Sequence, residues 1–96
     1  MAIETKPWDP IDYFESPEDE RFYLEAAFED GDPAIIAAAL GDVARARGMA
    51  KIAEEAGLTR DALYKSLKSG GNPTLATLIK VADALGYRLT IETKAA

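Results

Sequence analysis

MAKIAEEAGLTRDALYKSLK, residues 49–68, places a small residue, a glycine and a leucine where two short helices meeting at a sharp turn need them. Ala53 lies four residues before Gly57, and Leu63 lies six after it. Ala53 is small enough to let the helices approach, and Gly57 can adopt the positive φ that closes the turn. Leu58 and Leu63 plug the angle between the helices, with Ile52 and Ala56 beneath. Thr59 is a good N-cap for the second helix, because its hydroxyl accepts an orphan backbone N–H of the first turn. The pattern predicts a helix-turn-helix whose second helix, residues 60 to 68, enters the major groove of DNA.

The same spacing also suits an ordinary αα-hairpin, and the outward face favours DNA. With Leu63 and Leu67 turned inward at i, i+4, the residues left pointing away are Thr59, Arg60, Asp61, Tyr64, Lys65 and Lys68. All are polar or amphipathic and several are cationic, a set suited to phosphates and base edges. These six are the candidate DNA-binding residues.

A chain of 96 residues makes one small domain with a single modest core. Its 48% hydrophobic and 29% charged content is that of a soluble globular protein. No apolar run approaches the ~20 residues of a membrane span, and no leader pattern precedes the fold, so a cytoplasmic location is expected. Cysteine and histidine are both absent, which removes disulfides, thiol nucleophiles, imidazole bases and the usual zinc sites together. No cluster of carboxylate, Lys, Ser or Tyr replaces them. Neither catalysis nor a cofactor is expected.

The net charge of −6 looks unsuited to DNA until it is divided. Residues 1–32 hold 11 acids and 2 bases and carry −9, whereas residues 33–96 hold 6 acids and 9 bases and carry +3. The two regions face different neighbours. The basic part is compatible with phosphate; the acidic part is either a solvated face or the site of a specific partner. Six of the eight aromatics (Trp8, Tyr13, Phe14, Phe22, Tyr23, Phe28) also lie in residues 1–32, where they serve core packing or a partner.

Residues 1–16 have two prolines and no helical period, so they read as an N-terminal arm lying on the domain or on a partner. Ile3–Thr5 is a candidate extended segment. Residues 17–96 read as a single helix-turn-helix DNA-binding domain. Ser16-Pro17-Glu18-Asp19 and Asp32-Pro33 are helix starts, each with a capping side chain and proline at the first helical position. The first helix has Leu24, Ala27 and Phe28 on one face, broadened by Phe22 and Tyr23; the second has Ile36, Leu40 and Val43. Gly41 inside the second helix suggests a close crossing. Ala50 is the expected N-cap, a poor one, of the next helix.

Gly70-Gly71-Asn72-Pro73 is a turn cluster, and Thr74 caps a helix with Leu75, Leu78, Ile79, Ala82 and Leu85 as its stripe. Tyr87-Arg88-Leu89-Thr90-Ile91-Glu92 alternates with period two and predicts a strand, paired with Ile3–Thr5 or with a second subunit. The expected fold is therefore all-α, with helices near 17–30, 33–47, 51–56, 60–69 and 74–85 and a short C-terminal β-strand at 87–92.

Five helices with the turn motif at the centre resemble the λ-repressor/Cro type of DNA-binding domain. A closer resemblance covers nearly the whole chain. The runs EDGDPAIIAAALGDVARARGM, IAEEAGLTRDALYKSL and GNPTLATLIKVADALG are similar to those of addiction-module antidote proteins, antitoxins encoded beside RelE/HigB-like toxin genes. That resemblance implies a cytoplasmic antitoxin that binds its toxin and, as a homodimer, represses its own operon by binding a double-stranded DNA operator. It places the recognition-helix positions at Thr59, Arg60, Asp61, Tyr64, Lys65 and Lys68. Two other functions stay open at this point: a stand-alone prophage or plasmid regulator without a toxin, and a protein–protein adaptor that does not bind DNA.

Overall fold

The computed structural model describes residues 10–68 and 71–95. The candidate extended segment Ile3–Thr5, Trp8 and the Gly70 end of the turn cluster lie outside them. A short 3-10 turn at Pro10–Tyr13 leads into α1 (Pro17–Asp30), α2 (Pro33–Arg47), α3 (Met49–Ala56), α4 (Arg60–Leu67) and α5 (Leu75–Ala84).

The starts of α1 and α2 follow from their caps. Ser16 Oγ accepts from the Asp19 amide at 3.4 Å, and the Asp19 carboxylate in turn accepts from the Glu15 amide at 3.0 Å. Asp32 accepts from the Ala34 amide at 2.9 Å. Pro17 and Pro33 occupy the first helical turn, where the missing N–H has no partner to lose.

Helix α2 is the hub, packed against α1, α3, α4 and the 3-10 turn. Its buried residues are Leu40 and Val43 with Ala37, Ala39 and Ala44, so small side chains let several helices approach one axis. Gly41 marks a close approach to α4. A Cβ there would stand 2.9 Å from the Leu67 carbonyl oxygen and 3.3 Å from Leu67 Cβ, and α2 and α4 therefore meet backbone to backbone.

The turn between α3 and α4 is closed as the sequence requires. Gly57 has φ 72°, its N–H donates to Glu54 O at 3.1 Å, and the Leu58 N–H donates to Ala53 O at 2.9 Å. This is a Schellman closure, which a Cβ at Gly57 would strain. Ala50 is not the cap of α3. The helix begins two residues earlier than expected, at Met49, with Gly48 at the N-cap and no side-chain cap bond. The Gly48 carbonyl instead accepts from the Ile52 amide at 3.1 Å, so a single residue links α2 to α3.

Helix α5 is capped by Thr74, whose hydroxyl accepts from the Thr77 amide at 3.2 Å. It ends in the same closure as α3, with Gly86 N–H on Asp83 O and Tyr87 N–H on Ala82 O. The buried face differs from the expected stripe. Val81, Ala82 and Leu85 are buried and Leu78 packs at the edge of the core, whereas Leu75 and Ile79 are exposed. Helix α5 rests on α3, and that contact selects the face one step round from Leu75 and Ile79.

The predicted strand is absent: among the described residues there is no β-strand. Residues 87–92 alternate in chemistry, but among the described residues no strand lies alongside to complete a ladder, and an unpaired strand has nothing to stabilise it. Tyr87 packs on the core, while Arg88, Thr90, Ile91 and Glu92 are exposed. The aromatic face expected on α1 is corrected as well. Leu24 and Ala27 are buried and Tyr23 packs edge-on against Phe14 at 5.2 Å, but Phe22 and Phe28 lie outside the core.

Candidate nucleic-acid interface

Helix α4 is two turns long, and its two sides divide cleanly. Leu63 and Leu67 are buried, and Ala62 and Ser66 are half-buried at the margins. Thr59, Arg60, Asp61, Tyr64, Lys65 and Lys68 are all exposed. The i, i+4 leucine pair that anchors the helix therefore fixes which residues it presents. Thr59 Oγ1 accepts from the Ala62 amide at 3.0 Å, so Thr59 sets the start of the helix as well as standing at the end of its exposed face.

The charges on this face are not equivalent. Lys65 Nζ pairs with Asp61 Oδ2 at 3.0 Å, one helical turn away, with both side chains exposed. Among the described residues, the Arg60 and Lys68 side chains have no hydrogen bond or ion pair. Asp61 stands in the first turn, where the N-terminal end of the helix dipole favours a carboxylate. Arg60 is thus the unengaged planar donor beside the helix start, and Lys68 the unengaged point charge at its end.

Arg45 joins this face from a different helix and was not among the sequence candidates. It lines a shallow hollow of about 250 Å³ between α2 and α4, together with Gly41, Asp42, Tyr64 and Lys68. Its guanidinium pairs with Asp42 at 3.2 Å. The available sequence signal was its position four residues after Gly41, on the side of α2 that meets α4. Arg47, two residues on, is committed to the fold instead. It holds Glu20 and the Leu85 carbonyl, and the Glu20 hydrogen bond above all raises its pKa beyond the ordinary arginine value.

The opposite polarity gathers on α1, where Glu18, Glu25, Glu29 and Asp30 are exposed beside the rings of Phe22 and Phe28. Arg21 pairs with Glu25 at 3.6 Å and lies over the Phe22 ring at 5.2 Å. Among the described residues no acidic, Cys or His group is arranged to hold a metal ion, and no helix is long and apolar enough to cross a membrane.

Comparison with known proteins bears on this division. A family described as "Probable addiction module antidote protein" matches residues 4–93. A protein of Haemophilus influenzae (strain Rd), described as an uncharacterized protein, is 39% identical over 92 residues, covering 96% of this chain and 95% of its own. No solved structure matches the chain.

Proposed function

We infer a two-partner function from one premise: the chain belongs to the family of addiction module antidote proteins. Its general role is that of the antidote, or antitoxin, of a toxin–antitoxin module, a non-catalytic role whose partner is a toxin protein. Beyond that, the partner is a toxin of the RelE/HigB type, and the antitoxin represses its own operon as a cytoplasmic homodimer. Residues 60–68 form the recognition helix of a helix-turn-helix and lie in the major groove of the operator. A two-fold axis sets the two α4 helices about 34 Å apart, one turn of B-DNA.

The observation that carries the DNA reading is the exposure of Thr59, Arg60, Asp61, Tyr64, Lys65 and Lys68 on a capped helix whose opposite side is buried. The toxin reading is supported by family membership and by the acidic, aromatic surface of α1, which suits a basic ribonuclease. A stand-alone regulator and a DNA-free adaptor have no comparable observation in their favour.

The test is a gel shift of the full chain on DNA from upstream of its own reading frame, across a salt series. Affinity should fall steeply with salt and exceed that for scrambled DNA of the same length. Equal affinity for both sequences would remove the repressor reading. The absence of a small basic protein in the adjoining reading frame, or a failure of the chain to capture one encoded there, would remove the toxin reading.

A further inference from the structure

Among the described residues, the outer side of α5 has no packing partner. Leu75 and Ile79, four residues apart on that side, are 67% and 51% exposed. They line an open groove of about 630 Å³ whose other walls include Phe28, Leu89 and Ile91. Ile91 is 97% exposed and Phe28 39%. Several large apolar side chains gathered along one groove are more than the scattered singles of an ordinary surface, and such a patch marks a contact.

The rim decides what kind of partner fits. Lys80, Asp83 and Arg88 line the groove, and Glu92 follows Ile91 along the chain, so two bases and two acids surround the apolar centre. A polyanion would meet Asp83 and Glu92, and a basic toxin would meet Lys80 and Arg88. Neither sign prevails. A neutral rim carrying both signs is complementary to itself, and a two-fold contact uses the same patch on each copy. The six exposed residues of the α4 face do not line this groove, so a copy seated here leaves that face open.

We propose that the groove between α5 and the C-terminal segment is where two copies of the chain meet. The side chains of Leu75 and Ile79 pack against their counterparts and against Leu89 and Ile91 of the second copy. Lys80 and Arg88 of each copy face Asp83 and Glu92 of the other. This inference rests on the homodimer of the proposed function and gives it a surface.

Sedimentation equilibrium of the full chain tests it. The wild type should be dimeric at tens of micromolar, roughly where a functional repressor dimer must form. Ile79→Glu should weaken the dimer about 100-fold while leaving the helical circular dichroism and the monomer's melt unchanged, because Ile79 is exposed in the single chain. Lys80→Glu should also weaken it, and Lys80→Glu combined with Asp83→Lys should restore it. If Ile79→Glu and Lys80→Glu dimerise as the wild type does, the groove is not the contact, although the dimer itself stands. If Ile79→Glu stays dimeric but no longer captures the toxin, the groove belongs to the toxin and the proposal is overturned. A monomeric wild type overturns the dimer reading along with it.

Discussion

Arg47 Nη1 donates to the backbone carbonyl of Leu85 across 2.7 Å, so the last residue of α2 holds the C-terminal end of α5. The same guanidinium reaches Glu20 on α1, with Nε at 2.9 Å and Nη2 at 2.7 Å from one carboxylate oxygen. It also lies over the Tyr87 ring, 5.9 Å from its centroid. One side chain thus joins three helices and the start of the C-terminal segment. Arg47→Ala should cost about 1–3 kcal/mol, since it orphans a carbonyl and a carboxylate together. Arg47→Lys should recover only part, because a point charge lacks the planar fork that serves both acceptors. Urea melts of the two variants check both statements.

The same residue predicts what pH will not do. Its folded pKa is raised above the ordinary value, first by the Glu20 hydrogen bond. A base with a raised folded pKa contributes stability that is complete below its unfolded pKa and is lost only as pH climbs through the folded one. For arginine that window is strongly alkaline. The stability gap between wild type and Arg47→Ala should therefore stay level from about pH 6 to 9. A gap that closed within that range would mean that a different group controls the contact.

Thr59 caps α4 through the 3.0 Å bond from Ala62 N–H to its hydroxyl. Thr59→Ala should lower stability by about 1 kcal/mol, and Thr59→Ser should be nearly neutral because the acceptor oxygen is kept. Denaturant midpoints that fell equally for both would point to the lost methyl group rather than to the cap.

Gly41→Ala sets two effects of opposite sign against each other. Alanine favours the helix by roughly 1 kcal/mol over glycine. Its Cβ, however, would stand 2.9 Å from the Leu67 carbonyl oxygen, a backbone atom that moves only if α4 moves with it. Overpacking of that kind costs about 1–3 kcal/mol, so net destabilisation is expected. The displaced α4 should also weaken binding to the operator. A more stable Gly41→Ala protein would show that the crossing is looser than its geometry.

The sequence made legible what is settled within a few residues. Ser16 with Pro17, Asp32 with Pro33, Thr59 and Thr74 each declare a helix start through an acceptor two or three residues from its donor. The spacing of Leu63 and Leu67 likewise fixes the exposed side of α4. What it did not show depends on partners far along the chain. The alternation of residues 87–92 satisfies a strand's local chemistry, but a strand exists only with a neighbour. The period of α5 marks its apolar residues without saying that α3 selects Val81 and leaves Leu75 outside. Arg47 and Leu85 are 38 positions apart, and Arg45 joins the α4 face only because two helices cross at Gly41.

The exposed face of α4 yields the sharpest prediction, because its two acid–base relationships differ. Asp61 holds Lys65 at 3.0 Å, whereas the Arg60 side chain is unengaged among the described residues. Arg60 projects from the first turn, where its fork suits guanine O6 and N7. Arg60→Ala should cost about 1–3 kcal/mol on operator DNA and relax preference at one base pair per half-site, with little change on scrambled DNA. Asp61→Asn should act in the opposite sense. It removes a carboxylate that repels phosphate and releases Lys65 to make a phosphate contact, at a cost to the helix of only about 0.3–0.5 kcal/mol. Binding to operator and to scrambled DNA should tighten alike, and the salt slope should steepen by about one per subunit. Lys68→Ala should do the reverse, weakening both and flattening the slope by about one. A salt titration of the three variants on both DNAs separates these outcomes. If Arg60→Ala lost affinity equally on both, Arg60 would join the phosphate contacts. If Asp61→Asn weakened binding on the operator alone, the Asp61 carboxylate would be accepting from a base, and its pairing with Lys65 would have to break when DNA binds.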